Sequence, residues 1–215
     1  MTLLALDFSS PQRSVAVVRR SSPAAAPPLL DEVVETGAVS TRAFQMIETA
    51  LRHAGLEREQ IESLAIGLGP GSYTGIRAAI AIAQGWQLAR GVNLVGVSSV
   101  DAIAAEAQAD GLRGSVAVVL DAQRDEFYLA EYELAPENWR PLTPLRLVTR
   151  EAVQAAAKAN KHLIGPEVTR WFSGGRLVFP RAAVIGRLAL GRTDFVSGEK
   201  LVPIYLRETT FVKGR

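Results

Sequence analysis

Twice in this chain an apolar run ends in an aspartate, turns within a few polar residues and resumes as a second strand-like run. The first run is Leu3 to Phe8, which turns at Asp7-Phe8-Ser9-Ser10-Pro11 and resumes over Arg13 to Val18. The second is Val116 to Asp121, which turns at Asp121-Ala122-Gln123-Arg124-Asp125 and resumes over Glu126 to Glu133. Apolar runs of this kind read as buried strands, and a short polar turn returns the chain as a hairpin. A device used twice points to two related halves, each opening with an antiparallel pair.

Between these openings the pattern changes period. Leu30 to Thr36 reads as a third strand, reached through a lengthened loop, Ser21 to Pro28, whose prolines exclude a central strand. Ser40 or Thr41 can cap a helix to about His53, with Phe44, Ile47 and Leu51 at helical spacing as its inner face and Gly55 as its stop. Ile61 to Leu68 is a strand, Thr74 to Ala89 an alanine-rich helix and Val92 to Val97 a strand. Ser98 to Asp101 caps the next helix. After Pro136 the signals weaken: Leu145 to Thr149 and His162 to Gly165 read as strands, Glu151 to Asn160 and Ala182 to Leu190 as helices, and Leu201 to Arg207 as an extended tail. The first half is thus β-β-β-α-β-α-β-α, which sets the α/β class. Two such halves on mixed sheets outline the actin, hexokinase and Hsp70 type of fold, and spacing alone leaves that choice open. The expected division is a first lobe over 1–98 and a second over 99–215, the C-terminal segment returning to the first. The second half is too short to repeat all of the first.

Composition narrows the chemistry. The chain carries 24 basic and 22 acidic residues, and its densest basic stretches, Arg19-Arg20 and Lys213 to Arg215, are small. Binding nucleic acid through phosphates needs clustered Lys and Arg, so autonomous tRNA binding has weak support. There is no cysteine, which removes disulfides and thiolate metal sites, and the two histidines, His53 and His162, are far apart. No metal site is expected, and a histidine base for nucleophilic catalysis is equally unsupported. The opening residues lack a basic n-region and a long apolar core, and no stretch approaches the ~20 apolar residues of a membrane span. A cytoplasmic protein without membrane contact is expected.

Two segments can carry chemistry. In the first, Asp7, Ser9 and Ser10 sit where a strand turns sharply, a place to hold a phosphate, metal or water, or simply to cap the turn. The second is Gly69-Pro70-Gly71-Ser72-Tyr73-Thr74-Gly75-Ile76-Arg77. Gly69, Gly71 and Gly75 allow close backbone approach, and the helix beyond them favours anions at its start. Ser72 and Thr74 are its hydroxyls. The stretch is neither a P-loop nor a dinucleotide fingerprint, and a plain strand-to-helix corner capped by Ser72 and Thr74 fits as well as a ligand loop. In the helix itself, Ala78, Ala79, Ala81, Ala83 and Ala89 leave little bulk, while Gly85 and Trp86 add a notch and an anchor. That helix is either a partner face or internal packing against Phe44 and Met46. Asp121 is the second-half counterpart of Asp7, or only a turn residue.

Five ordered stretches resemble one family across essentially the whole chain. They are Leu4–Ser10 (LALDFSS), Gly67–Arg77 (GLGPGSYTGIR), Gly96–Ala104 (GVSSVDAIA), Leu120–Tyr128 (LDAQRDEFY) and Pro203–Arg207 (PIYLR). They resemble the TsaB, or YeaZ, family. The resemblance implies an actin-like ATPase (ASKHA, ribonuclease H-like) fold of two lobes with mixed sheets, in a bacterial cytoplasmic protein. It implies pairing with the catalytic subunit TsaD, which carries a metal-binding histidine pair, alongside the ATPase TsaE. Together these place a threonylcarbamoyl group on N6 of the adenosine next to the anticodon, in tRNAs reading codons that begin with A. Helices near Thr41–His53 and Thr74–Ala89 would form the dimerisation surface, for which the candidate residues are Phe44, Ile47, Arg77, Ala79, Ala83 and Trp86. Departures are Val39-Ser40-Thr41-Arg42 in place of a histidine-serine pair, Phe8 where threonine is commoner, and the Ser21–Pro28 insertion.

The expectation is therefore a non-catalytic partner and activator that needs no cofactor, with ATP or ADP and magnesium near the partner interface as a further option. It would meet tRNA through the complex and form homodimers when alone. The alternative is a lone nucleotide-dependent ATPase or phosphotransferase that holds phosphate at Asp7, Ser9, Ser10 and the glycine loop. A metalloprotease would need zinc ligands the sequence lacks.

Overall fold

A computed structural model describes residues 1–19, 29–37, 42–159 and 161–206. Strand β1 (Thr2–Asp7) is buried along its whole length and lies at the centre of the first sheet. Strands β2 (Gln12–Arg19) and β3 (Leu29–Thr36) continue antiparallel on one side, Leu4 standing opposite Val17 and Val17 opposite Asp31. Helix α1 (Ala43–His53) leads to β4 (Ser63–Gly67), and α2 (Tyr73–Arg90) to β5 (Asn93–Val97). Both of these strands run parallel on the other side, giving the order β3-β2-β1-β4-β5.

Because side chains alternate along a strand, β1 serves two cores. Leu4 and Leu6 meet Met46, Ile47, Ile76 and Ala79 of α1 and α2. Leu3 and Ala5 face the opposite side, where α5 (Ala182–Ala189) returns from the second half of the chain to lay Ala182, Val184 and Ile185 on the sheet. Burying each such leucine contributes about 1.5–3 kcal/mol.

Helix α3 (Ser99–Ala109) lies between the sheets. Its Ala102 and Ala105 join the core of the first sheet, and Val100, Ile103, Ala104 and Ala107 pack on the second. A helix covered on both sides must be small and largely apolar, and α3 has alanine, valine or isoleucine at each of the positions that enter the two cores.

The second sheet contains β6 (Gly114–Asp121), β7 (Glu126–Leu134), β8 (Trp139–Thr149), β9 (His162–Gly165) and β10 (Arg176–Leu177), in the order β10-β9-β6-β7-β8. Helix α4 (Arg150–Lys158) covers its far face through Val153 and Ala156. Tyr132 on β7 donates to Asp101 on α3 at 2.7 Å, tying the two layers together.

Some expectations needed adjustment. The strand expected at Leu145–Thr149 begins six residues earlier, at Trp139, since Pro141 and Pro144 are tolerated on an edge strand. The N-cap of α1 is Arg42, whose side chain makes no capping bond. The Ser40 and Thr41 caps, the Ser21–Pro28 loop and the Lys213–Arg215 tail lie outside the described residues.

Candidate functional site

Asp7 ends β1 with its carboxylate fully enclosed. Oδ1 accepts the Ser9 backbone N–H at 2.9 Å and the Ser9 hydroxyl at 2.7 Å, and Oδ2 accepts the Ser99 hydroxyl at 2.7 Å. Ser99, the first residue of α3, accepts the Gly69 N–H on its Oγ at 3.0 Å, while its own N–H donates to the Gly69 carbonyl at 2.9 Å. The opening turn and the start of α3 therefore bond one carboxylate, the glycine loop is joined to it through Ser99, and Gly67 of β4 lies against it. Burial pushes its pKa up to about 6, against the hydrogen bonds from Ser9 and Ser99 that favour the charged form. The causes of that shift include no charged neighbour.

The glycine loop closes over this turn. The Ser72 N–H donates to the Ser9 carbonyl at 2.7 Å. A Cβ at Gly71 would collide with the Ser9 carbonyl, and one at Gly75 with the Phe8 carbonyl. The close approach that these glycines permit is thus to the chain's own backbone. Ser72 caps α2 by accepting the Gly75 N–H at 3.3 Å, and the Ser72 and Thr74 side chains are exposed.

The candidate phosphate residues are accordingly together, but face to face. Asp7, Ser9 and Ser10 are buried, and Ser10 donates to the Gln12 carbonyl at 2.7 Å. These groups are spent on bonds inside the protein, the arrangement of a capped turn. Among the described residues no three His, Asp or Glu side chains gather as a metal site would require.

The candidate partner face divides in two. Ile47, Ala79 and Ala83 are buried in the core that α1 and α2 form on the first sheet, Ile47 on the side of β2 and β3 and the two alanines on the side of β1 and β4, so they are core residues and not partner contacts. The helical period explains this correction: Ile76, Ala79, Ile80 and Ala83 form the inward stripe of α2, leaving Tyr73, Arg77, Ala81, Gly85 and Leu88 outward. Trp86 is half-buried and packs on the core, whereas Arg77 is exposed. On α1 the outward anchor is Phe44, 69% exposed, which corrects its place on the inner face with Ile47 and Leu51, and on α2 it is Leu88, 91% exposed. Leu88 and Tyr73 escaped the sequence reading because alanine on every face of α2 hides which face is inward. Large apolar residues off the stripe 76-79-80-83 were the signal available. Ser99 offered no local signal, being 92 residues from its partner Asp7.

Residues beyond Asp194 run alongside α2 in the opposite direction. Gln87 accepts the Gly198 N–H at 2.7 Å, and Gln84 donates to the Gly198 carbonyl at 2.9 Å. Further on, Ile204 donates to the Leu68 carbonyl at 2.9 Å, and the Tyr205 ring lies 5.3 Å from that of Tyr73. Arg77 stacks over Tyr73 and also donates to a hydroxyl at 2.7 Å, that of the same tyrosine.

In the second half, Asp121 accepts the Gln123 N–H at 2.7 Å, the same two-residue reach as Asp7 to Ser9. Gln123, Arg124 and Asp125 come next with φ near +60°, a left-handed run rare for residues with a Cβ.

Comparison with known proteins gives concordant results. Residues 37–204 match the family TsaD, tRNA N6-adenosine threonylcarbamoyltransferase. The tRNA threonylcarbamoyladenosine biosynthesis protein TsaB of Haemophilus influenzae is 27% identical over 99% of this chain and 97% of its own length. The protein of that name from Escherichia coli is 37% identical over 43% of this chain and 40% of its own. The solved structure of YeaZ from Pseudomonas aeruginosa superposes with a TM-score of 0.77 at 28% identity, covering 95% of this chain and 99% of that one. The two mixed sheets are those of an actin-like ATPase (ASKHA) fold, which spacing alone left open.

Proposed function

The chain belongs to the TsaD family, tRNA N6-adenosine threonylcarbamoyltransferase, within its TsaB or YeaZ group, and from that premise we propose that it is a non-catalytic partner in making threonylcarbamoyladenosine on tRNA. It docks on the catalytic subunit TsaD through α1 and α2 and favours that subunit's active conformation, with TsaE completing the set and tRNA met through the complex. A partner that binds one conformation better shifts the population toward it, and so activates without taking part in the chemistry.

The observation that carries this reading is the closure of the glycine loop on the Asp7 turn. In a lone ATPase the buried Asp7, Ser9 and Ser10 would have to face phosphate and magnesium; here Asp7 holds the start of α3 through Ser99, the Ser9 carbonyl holds the N-cap of α2 and Ser10 bonds the Gln12 carbonyl. What α2 then offers outward is the small Ala81 and Gly85 between Tyr73 with Arg77 at one end and Leu88 at the other, with Phe44 as an anchor on the neighbouring helix. Contiguous apolar surface of this kind fits a protein partner.

The test is reconstituted modification of tRNA by TsaD and TsaE with a supply of threonylcarbamoyl donor, run with and without this chain. The expected result is that omission removes most of the product. Undiminished modification without it would sink the reading, and ATP turnover by the isolated chain that disappears in Asp7→Ala would favour the lone enzyme.

A further inference from the structure

The outward face of α1 and α2 is short of anchors for the role just assigned to it. A stable interface buries about 800 Å² on each partner and concentrates its affinity in a few large aromatic, aliphatic or arginine side chains. Phe44, Tyr73 and Leu88 are the large apolar residues exposed on these two helices, and between the last two α2 shows mainly Arg77, Ala81 and Gly85.

The missing anchors lie beside the helix. The segment from Val196 to Leu206 is fastened along α2 by Gln87, Gln84 and the Leu68 carbonyl, and Leu201 is sunk in the core. Its outward residues are Ser197, Glu199 and Lys200 and, beyond them, the apolar Val202, 62% exposed, Tyr205 at 41% and Leu206. Tyr205 meets Tyr73, itself 53% exposed, and Tyr73 carries the Arg77 guanidinium on its ring. Burial and the neighbouring Tyr73 and Tyr128 push the Tyr205 hydroxyl up to about 12, so it stays a neutral donor at any physiological pH. Tyr205, Tyr73 and Arg77, from two distant parts of the sequence, thus form one stacked cluster at the start of the outward stripe of α2, with the exposed Val202 and Leu206 close by in the chain. A nucleic-acid site would need several cations for phosphates, whereas apolar side chains with tyrosine and arginine are the composition of a protein hot spot.

We propose that the C-terminal strap is a second half of the partner-docking surface, with Tyr205, Val202 and Leu206 joining Tyr73 and Arg77 to anchor the catalytic subunit. This rests on the reading of the chain as that subunit's partner. The strap accordingly is held on α2 by side-chain hydrogen bonds from Gln84 and Gln87 so that helix and strap meet the partner as one rigid face.

The test is the affinity of the full chain for the catalytic subunit of the same organism, by calorimetry, for the wild type, Tyr205→Ala, the pair Val202→Ser with Leu206→Ser, and Phe44→Glu on α1. Thermal unfolding of each variant alone checks that these surface changes leave the fold intact. The expected result is a loss of roughly 30-fold or more for each strap variant, the scale of a hot-spot residue, together with a loss for Phe44→Glu. Loss in Phe44→Glu with wild-type affinity in both strap variants overturns the strap proposal and leaves the helix interface standing. Absence of binding by the wild-type chain overturns the docking reading beneath it.

Discussion

The two sheets of this molecule match strand for strand, β5-β4-β1-β2-β3 against β10-β9-β6-β7-β8, and both open with an aspartate that accepts an N–H two residues on. They differ in the connection that leads into the edge strand, β5 or β10. Between β4 and β5 the first half places an 18-residue helix, α2, whereas between β9 and β10 the second places a three-residue turn, Val168–Arg170. In the first half the start of the helix covers the aspartate turn, which becomes a buried knot of hydrogen bonds. In the second half the corresponding turn remains on the surface in a left-handed conformation. One local device has therefore become a structural lock where a helix covers it and a strained surface loop where none does. The lock sets where α2 begins, and α2 carries the face on which the proposed function depends.

The largest effect expected of any test of this comparison is at the closure itself. Gly75→Ala drives a methyl group into the Phe8 carbonyl, and since backbone cannot yield cheaply the cost should be about 3 kcal/mol or more, read as a lowered midpoint in urea. A neutral result would mean that helix and turn are not in contact.

Titration comes next. The folded Asp7 carboxyl keeps its proton up to about pH 6, while its ordinary value is 3.8. Folding thus takes up a proton between these values: the group's contribution is complete below the lower one and is lost as pH rises through the upper, by about 3 kcal/mol. Asp7→Asn cannot titrate, so its stability relative to wild type should improve by that order between about pH 4 and 7.5. Parallel curves would remove burial as the dominant influence on this carboxyl.

Side-chain removal should then separate the halves at neutral pH. Asp7→Ala leaves buried donors on Ser9 and Ser99 without an acceptor and should cost about 2 kcal/mol, while Asp121→Ala loses a bond at an exposed loop and should cost under about 1 kcal/mol. Equal losses would erase the distinction between lock and loop.

The folding pattern was legible to the extent that it is local. The two aspartate hairpins, the parallel strands and most helix limits come from period, breakers and turn residues, as Leu3–Ser10 and Val116–Asp125 illustrate. The duplicate strand order was not legible, because β10 is two residues long and β8 carries prolines where a strand reading fails. At the site, the residues of the turn and loop could be chosen from sequence, but not their relation. Whether Gly71 and Gly75 face a ligand or the carbonyls of Ser9 and Phe8 depends on a contact across some sixty residues of chain. Ala79 and Ala83 can be read as facing either way because small apolar residues look alike from either side of a helix, whereas the spacing of Ile47 with Leu51 already gives the inner face on which both lie.

The smallest predicted effect sharpens the comparison from the other half. Arg124 is exposed with φ at 58°, so Arg124→Gly should relieve left-handed strain and, against the entropy added to the unfolded chain, raise stability by about 0.5 kcal/mol. A clear loss would mean that the arginine side chain supports the turn.

If the lock presents α2 to a catalytic partner, charges on the outward stripe of that helix should abolish the complex. Light scattering on a sizing column of the chain mixed with TsaD of the same organism reads this, the wild type beside Ala81→Arg with Leu88→Glu. The expected result is a one-to-one complex for the wild type and separate components for the variant. A complex that survives these two charges would mean that α2 is not the docking face.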